Sequence, residues 1–482
     1  MISGKNILRS KYDFEADLLT TNNSQLTETL TVNLTRHAIA VSLILLLFVS
    51  NAYTAKFTFI PRFSVQGEYT DNLFLLPADE KDDYIVTTSV GFTAGVSGKT
   101  ANATLSYDPS YVWYNEFDEN NGWRHLASLF GEWNITKYTR FNFSNNLLHT
   151  EDPLSEQEID ILRGDVPPPQ GDTTRRIGRE PYTRNRALLR LTQNFGIKDL
   201  FYLEYVNIWL NNEDDVFNED SQTHNGAAGI TYWFTNRWGT DWRFAYTRAL
   251  FDQDNTFIGD PSSDFDRWSG YARLMYRFSR TLDGYVRYDH TYVNYDEENE
   301  FDYNVYHPSI GIDYRIEEDI QFLTSVGYSV REFKDANIQG IQEELDRGFG
   351  LTFNADLLKT LRRGSYRIFV ATGYNQTVNT NQNLGFTRYF MASYSVNYEV
   401  NRRLKVDSYA LYRRNEYEDT IPQRDDDVYR FGVGLGYGPT QWMTIRLGYA
   451  YNRVDSNRPI NDYTENRGSL TFTFTPAQPY RF

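Results

Sequence analysis

Arginine, carboxylate and tyrosine side chains recur at alternate positions along much of this 482-residue chain, and no other repeated arrangement in it could bind or move a solute. Arg186, Arg190 and Glu204 open the series, followed by Asp241, Arg243, Arg273 and Arg277. Arg287, Asp289, Asp313 and Arg367 continue it, and Tyr389, Asp407, Arg413, Arg430 and Arg446 complete it. A guanidinium donates in a planar fork to carboxylates or sugar hydroxyls, and a phenol ring offers a flat face to a sugar. Such a set suits recognition of a hydrated, neutral or anionic solute. Opposite charges on neighbouring segments can equally satisfy one another inside a rigid wall.

Groups for bond-making chemistry do not assemble in the same way. His37, His125, His149, His224, His290 and His307 show no metal-ligand spacing, and the chain has no cysteine. No nucleophile elbow, zinc-protease helix, phosphate loop or dinucleotide fingerprint occurs. Asp425, Asp426 and Asp427 lack the spaced ligands of a calcium loop. The expectation is a non-enzyme without metal or cofactor. The alternate glycines Gly432, Gly434, Gly436 and Gly438 read as room for neighbouring side chains, not as a phosphate cradle.

The element that positions the charged residues is the β-strand. Between Asp266 and Asp289, Leu274, Tyr276 and Phe278 share one face while Arg273, Met275 and Arg277 share the other. After Ser279 to Thr281, Val286 and Tyr288 alternate with Tyr285, Arg287 and Asp289. Period two means strand, and so short a turn makes the two strands antiparallel neighbours. The pattern continues from about Lys56 to the C-terminus. A sandwich would need one face nearly free of charge as its core. Here one face is apolar and aromatic while the other carries arginines, which calls for a hydrated lumen inside and lipid outside.

The predicted fold is therefore all-β: a single closed antiparallel transmembrane β-barrel of about 20 strands, with about 18 as the alternative. Short turns should face the periplasm, and long acidic loops the outside. The first strand is expected over Phe59 to Phe74, and the last, Asp462 to Phe474, should close against it. Leu470, Phe472 and Phe474 alternate, but Pro476 and Pro479 follow. Either the last strand stops near Thr475, or Tyr480 and Phe482 add a short extension.

Composition agrees with such a barrel. Aromatic content is 16% although the mean hydropathy is only -0.59, as expected when alternate residues meet lipid and rings border the apolar band. The formal charge of -16 and the absence of a basic stripe disfavour nucleic acid as a partner.

Two segments stand apart. Residues 1–52 read as a leader: Arg36 and His37 precede the apolar run Ala38 to Ser50, giving a signal peptide over 35–52. The polar residues before it point to a start site assigned too far upstream, the alternative being an unusually long leader. The barrel then occupies 53–482. Residues 150–182 interrupt the alternation with Pro167, Pro168 and Pro169 and with Arg175, Arg176 and Arg179. That length suits an external loop or a partial plug, the three arginines being candidates for a constriction.

The phrases SVQGEYTDNLF, DDYIVTTSVGF and LSYDPSYVWYNEF, within Phe63 to Asp152, resemble the outer-membrane beta-barrel porins (BBP2-like) encoded beside exopolysaccharide export genes. The resemblance implies a polysaccharide secretion pore of roughly 18 strands in the outer membrane of a Gram-negative bacterium. It further implies a periplasmic polysaccharide-export protein as partner, and polysaccharide or a small solute as cargo. The alternative is a non-conducting structural or adhesin barrel, or a sheath for an electron-transfer protein.

Overall fold

The computed structural model describes residues 55–153, 178–213, 219–251, 264–297, 302–317, 319–334, 349–376, 385–418 and 422–482. The leader 1–52, with its signal peptide and start site, lies outside them, as do Arg175 and Arg176.

Alternation along the chain becomes a wall of consecutive antiparallel strands. They begin with β1 (Lys56–Thr70), β2 (Asp83–Ser97), β3 (Ala101–Tyr114), β4 (Gly122–Asn134), β5 (Thr139–Thr150) and β6 (Tyr182–Asn194). Next come β7 (Leu200–Asn212), β8 (Ser221–Tyr232), β9 (Trp238–Phe251), β10 (Phe265–Arg277), β11 (Leu282–Tyr295), β12 (Tyr303–Glu317) and β13 (Ile320–Phe333). The circuit ends with β14 (Phe349–Leu361), β15 (Gly364–Gln376), β16 (Phe386–Glu399), β17 (Leu404–Tyr417), β18 (Arg424–Tyr437), β19 (Met443–Ser456) and β20 (Tyr463–Phe474). Each strand pairs with its successor, and β20 closes on β1 with Phe63 opposite Phe474 and Thr70 opposite Arg467.

Directly paired residues share a face of the sheet. Following the pairs from Phe63 through every ladder to Leu470, which faces Gly67, keeps the same residues outside all the way round. The exterior carries exposed apolar and aromatic residues such as Leu203, Trp242, Val286, Ile310, Leu351, Phe431 and Leu447. A bilayer's hydrocarbon is the surroundings that such a band tolerates.

Local chemistry fixes the short turns. Thr136 Oγ1 accepts hydrogen bonds from the amides of Tyr138 and Thr139, and Thr235 Oγ1 from those of Arg237 and Trp238. Asn401 Oδ1 does the same for Arg403 and Leu404. Side chains of this kind mimic a backbone turn and so reverse the chain within a few residues.

One boundary differs from expectation, and the C-terminal one follows the expected short extension. β1 ends at Thr70 instead of continuing to Phe74, because Asn72 takes over the backbone bonding. Its Nδ2 donates to the carbonyls of Leu76 and Thr464, and its Oδ1 accepts from the Leu76 amide. At the other terminus the chain leaves the sheet after Phe474, and β21 (Tyr480–Arg481) returns to pair with Thr58 and Phe59 of β1. Phe482 exchanges both backbone hydrogen bonds with Phe57, their rings 5.9 Å apart. The two prolines fall in the break between β20 and β21, where no ladder bond is required of them.

Asp71 to Leu76 folds into the barrel mouth. Leu73 packs on Ile85, Val112 and Tyr114, and Leu75 on Val428, Val454 and Tyr463, both leucines being fully buried. Leu75 has φ of 55°, a left-handed conformation that costs a leucine about 1–2 kcal/mol. Burial of the two side chains, roughly 1.5–3 kcal/mol each, outweighs that strain.

Candidate functional site

The ladders put all sixteen charged and tyrosyl residues of the alternating series on the interior face. In the half nearer the short turns they form a belt of paired charges. Glu204 lies 3.6 Å from both Arg190 and Arg243, and Asp241 accepts from Arg273 at 2.6 Å and from the Tyr271 hydroxyl at 3.1 Å. Arg287 bonds Asp289 at 2.9 Å, Arg277 bonds Asp283 at 2.9 Å and Arg446 bonds Asp407 at 2.7 Å. Arg367 pairs with Asp356 at 2.8 Å, and Arg315 reaches Asp313 at 3.4 Å. Arg186 is exposed on the same face.

Tyrosine rings lie against this belt. The Arg190 guanidinium stands 4.3 Å from the Tyr202 ring, Arg287 4.0 Å from Tyr271 and Arg273 5.4 Å from Tyr285. Glycines make the space: a Cβ on Gly432 would sit 2.3 Å from the Tyr409 ring, and one on Gly434 2.6 Å from both Arg446 and Asp407. Leu126 and Phe130 also stand exposed on the interior, so the wall offers apolar patches between its charges.

Exposure changes sharply along the barrel axis. Toward the short turns, Arg190 and Arg446 keep 40% and 44% of their side chains exposed inside the barrel. Toward the long loops, Arg467 falls to 6% and Arg179 to 1%. Arg413 and Arg430 are buried there too, Arg413 stacking at 4.7 Å on Tyr389 and bonding Asn415 at 2.6 Å. The interior is thus an open vestibule with exposed charges at one end and a packed mouth at the other.

The rest of the mouth is built from residues that alternation alone did not single out. Arg179 donates to the Leu73 carbonyl at 2.7 Å and to the Tyr114 hydroxyl at 2.9 Å, and lies 4.0 Å from Glu151 and from Asp152. Arg467 bonds Asp152 at 3.1 Å and Glu465 at 2.9 Å, while Glu465 also accepts from Thr70 at 3.0 Å. On the far side, Arg331 lies between the rings of Tyr303, Phe333 and Phe386, within 4.5 Å of each centroid. The readable signals were the same-face pair Glu465 and Arg467 and the apolar run Leu73 to Leu76 inside a polar loop. Of the three constriction arginines, Arg179 is the one within the described residues.

Glu151, just beyond the end of β5, is a buried carboxylate in the wall of the mouth. Burial alone would raise its carboxyl, but the hydrogen bonds and charge of Arg124, with a hydrogen bond from the Tyr114 hydroxyl, hold it below its ordinary value of 4.5. A depressed carboxyl contributes stability that is full above its ordinary value and is lost as pH falls through the depressed one. Closure of the mouth should therefore be complete at pH 6 and weaken below about pH 4. Single-channel current recorded at pH 6 and at pH 3 checks this, with Glu151→Gln expected to flatten the difference.

Among the described residues no three His, Asp or Glu side chains converge as a metal site. A family model described as Putative beta-barrel porin 2 matches residues 212–475, so the match lies in the later strands and not in the opening phrases. No curated protein matches the chain. Similar solved structures include the siderophore receptor PirA from Pseudomonas aeruginosa, at 10% identity over 86% of this chain and 80% of that one, TM-score 0.43. The siderophore receptor PiuA from Acinetobacter baumannii gives 10% identity over 87% and 82%, TM-score 0.44. OccK7 from Pseudomonas aeruginosa gives 13% identity over 89% and 99%, TM-score 0.37.

Proposed function

The chain belongs to the Putative beta-barrel porin 2 family, and from that premise we propose that it is an outer-membrane pore for a hydrated solute, with exopolysaccharide the favoured cargo. The observation that carries the reading is the solvated belt of arginine–carboxylate pairs interleaved with Tyr202, Tyr271, Tyr285 and Tyr409. Paired charges lend hydrogen bonds to sugar hydroxyls without holding an ion, and the rings stack on pyranose faces, so a polymer meets many weak contacts and no trap. No catalytic step and no cofactor enters this function.

In this reading the short turns face the periplasm, where a polysaccharide-export protein would deliver cargo into the vestibule. The long acidic loops face the outside, and the packed mouth is a gate. The packed mouth also favours a second reading, a non-conducting barrel serving as scaffold, adhesin or electron-transfer sheath. Planar-bilayer recording separates the two. Current that added dextran or an acidic polysaccharide blocks from the short-turn side supports the pore. A silent barrel, even after the mouth loop is shortened, would establish the second reading.

A further inference from the structure

Among the described residues, the wall is not zipped to the strand ends between β14 and β15. Their ladder stops at Phe353 opposite Thr372, although β14 pairs on with β13 as far as Phe349 and β15 with β16 as far as Gln376. Beside the unpaired ends lies a cavity of about 260 Å³. Its lining mixes the two faces of the sheet: by register Ser329, Thr352 and Tyr389 are interior, whereas Leu351, Arg388 and Phe390 are exterior. The adjoining rings cross from one face of the wall to the other at the same place. Register assigns Tyr374 and Phe386 to the exterior, yet Tyr374 lies 5.9 Å from the interior His307 ring, and Phe386 6.0 Å from interior Tyr303. The two stack on each other at 5.5 Å.

A breach in a closed barrel leaves strand edges facing lipid, which is costly unless something fills the gap. Its outer lip combines exposed Leu351 and Phe390 with the charged Arg388, Arg414 and Glu416, the combination found where hydrocarbon gives way to headgroups. At the same height the interior is lined by the buried side chains of the mouth. We infer that the seam is a lateral portal, and that its cavity takes the hydrocarbon chain of an amphipathic molecule from the outer leaflet.

Because the chain has no cysteine, single-cysteine variants report the portal directly. Ser329→Cys, with Gly350→Cys as a second choice, is labelled with bimane and reconstituted with phosphatidylcholine bearing a nitroxide on carbon 5 of its acyl chain. Quenching at Ser329 should reach at least half of that at exterior Leu351→Cys, and well exceed that at interior Ser309→Cys. Quenching no greater than at Ser309 would overturn the portal. Absence of quenching at Leu351 would overturn membrane embedding, and the portal with it. Thr352→Cys/Gly373→Cys supplies an independent arm: these positions would be directly opposed in a closed ladder and would cross-link on oxidation. The open seam predicts no disulfide, and quantitative cross-linking would overturn it.

Discussion

Replacing residues 71–82 by a two-residue Asn-Gly turn should raise open probability in planar bilayers sharply. Thr70 and Asp83 are already a directly opposed pair, so a short hairpin turn preserves the register of β1 and β2. What is lost is the infolded loop, whose Leu73 and Leu75 hold both sides of the mouth together. With roughly 1.5–3 kcal/mol per buried leucine, their joint removal shifts the closed-to-open balance by on the order of 10²–10⁴. Leu73→Asp/Leu75→Asp should act in the same direction, since neither carboxylate tolerates burial there. Open probability in planar bilayers is the readout, and heat-modifiable migration on gels shows that the barrel is intact. Unchanged current in both variants would place the barrier elsewhere.

The second large effect concerns stability. Arg467→Ala should lower barrel stability by about 3–5 kcal/mol, since it leaves the carboxylates of Glu465, Asp152 and Glu68 facing one another in a buried site. Arg467→Lys should restore part of the loss, because a point charge reaches fewer of these partners than a guanidinium fork does. Arg467→Met/Glu465→Gln should be milder than Arg467→Ala alone, since the strongest buried charge leaves with its partner. Urea-induced unfolding in detergent or vesicles orders the three variants. Equal midpoints would show that the network adds nothing to stability.

Much of this architecture is legible in the sequence because a membrane barrel writes its environment into every second residue. Arg273 against Leu274, or Glu204 against Leu203, needs no knowledge of distant strands to be assigned a face. The mouth is another matter. Thr70 bonds Glu465 across 395 positions, and Leu75 meets Val428, Val454 and Tyr463, contacts that exist only after the barrel has closed. A loop's decision to fold inward depends on the shape of that finished mouth, which local alternation does not carry. The seam is equally hidden: Phe349 to Thr352 and Gly373 to Gln376 have ordinary strand compositions, and only their failure to pair with each other sets them apart.

The uninterrupted agreement of faces around the sheet also limits how such a chain can change over evolutionary time. Deleting one residue from the middle of a strand would turn every later side chain of that strand to the opposite surface, presenting arginine to hydrocarbon and leucine to water. Two residues removed together restore the alternation and alter only height. Within the wall, length is therefore inherited in pairs, whereas the long loops can gain or lose residues singly. Gaps among relatives of this chain should accordingly come in even numbers inside strands and in any number between them.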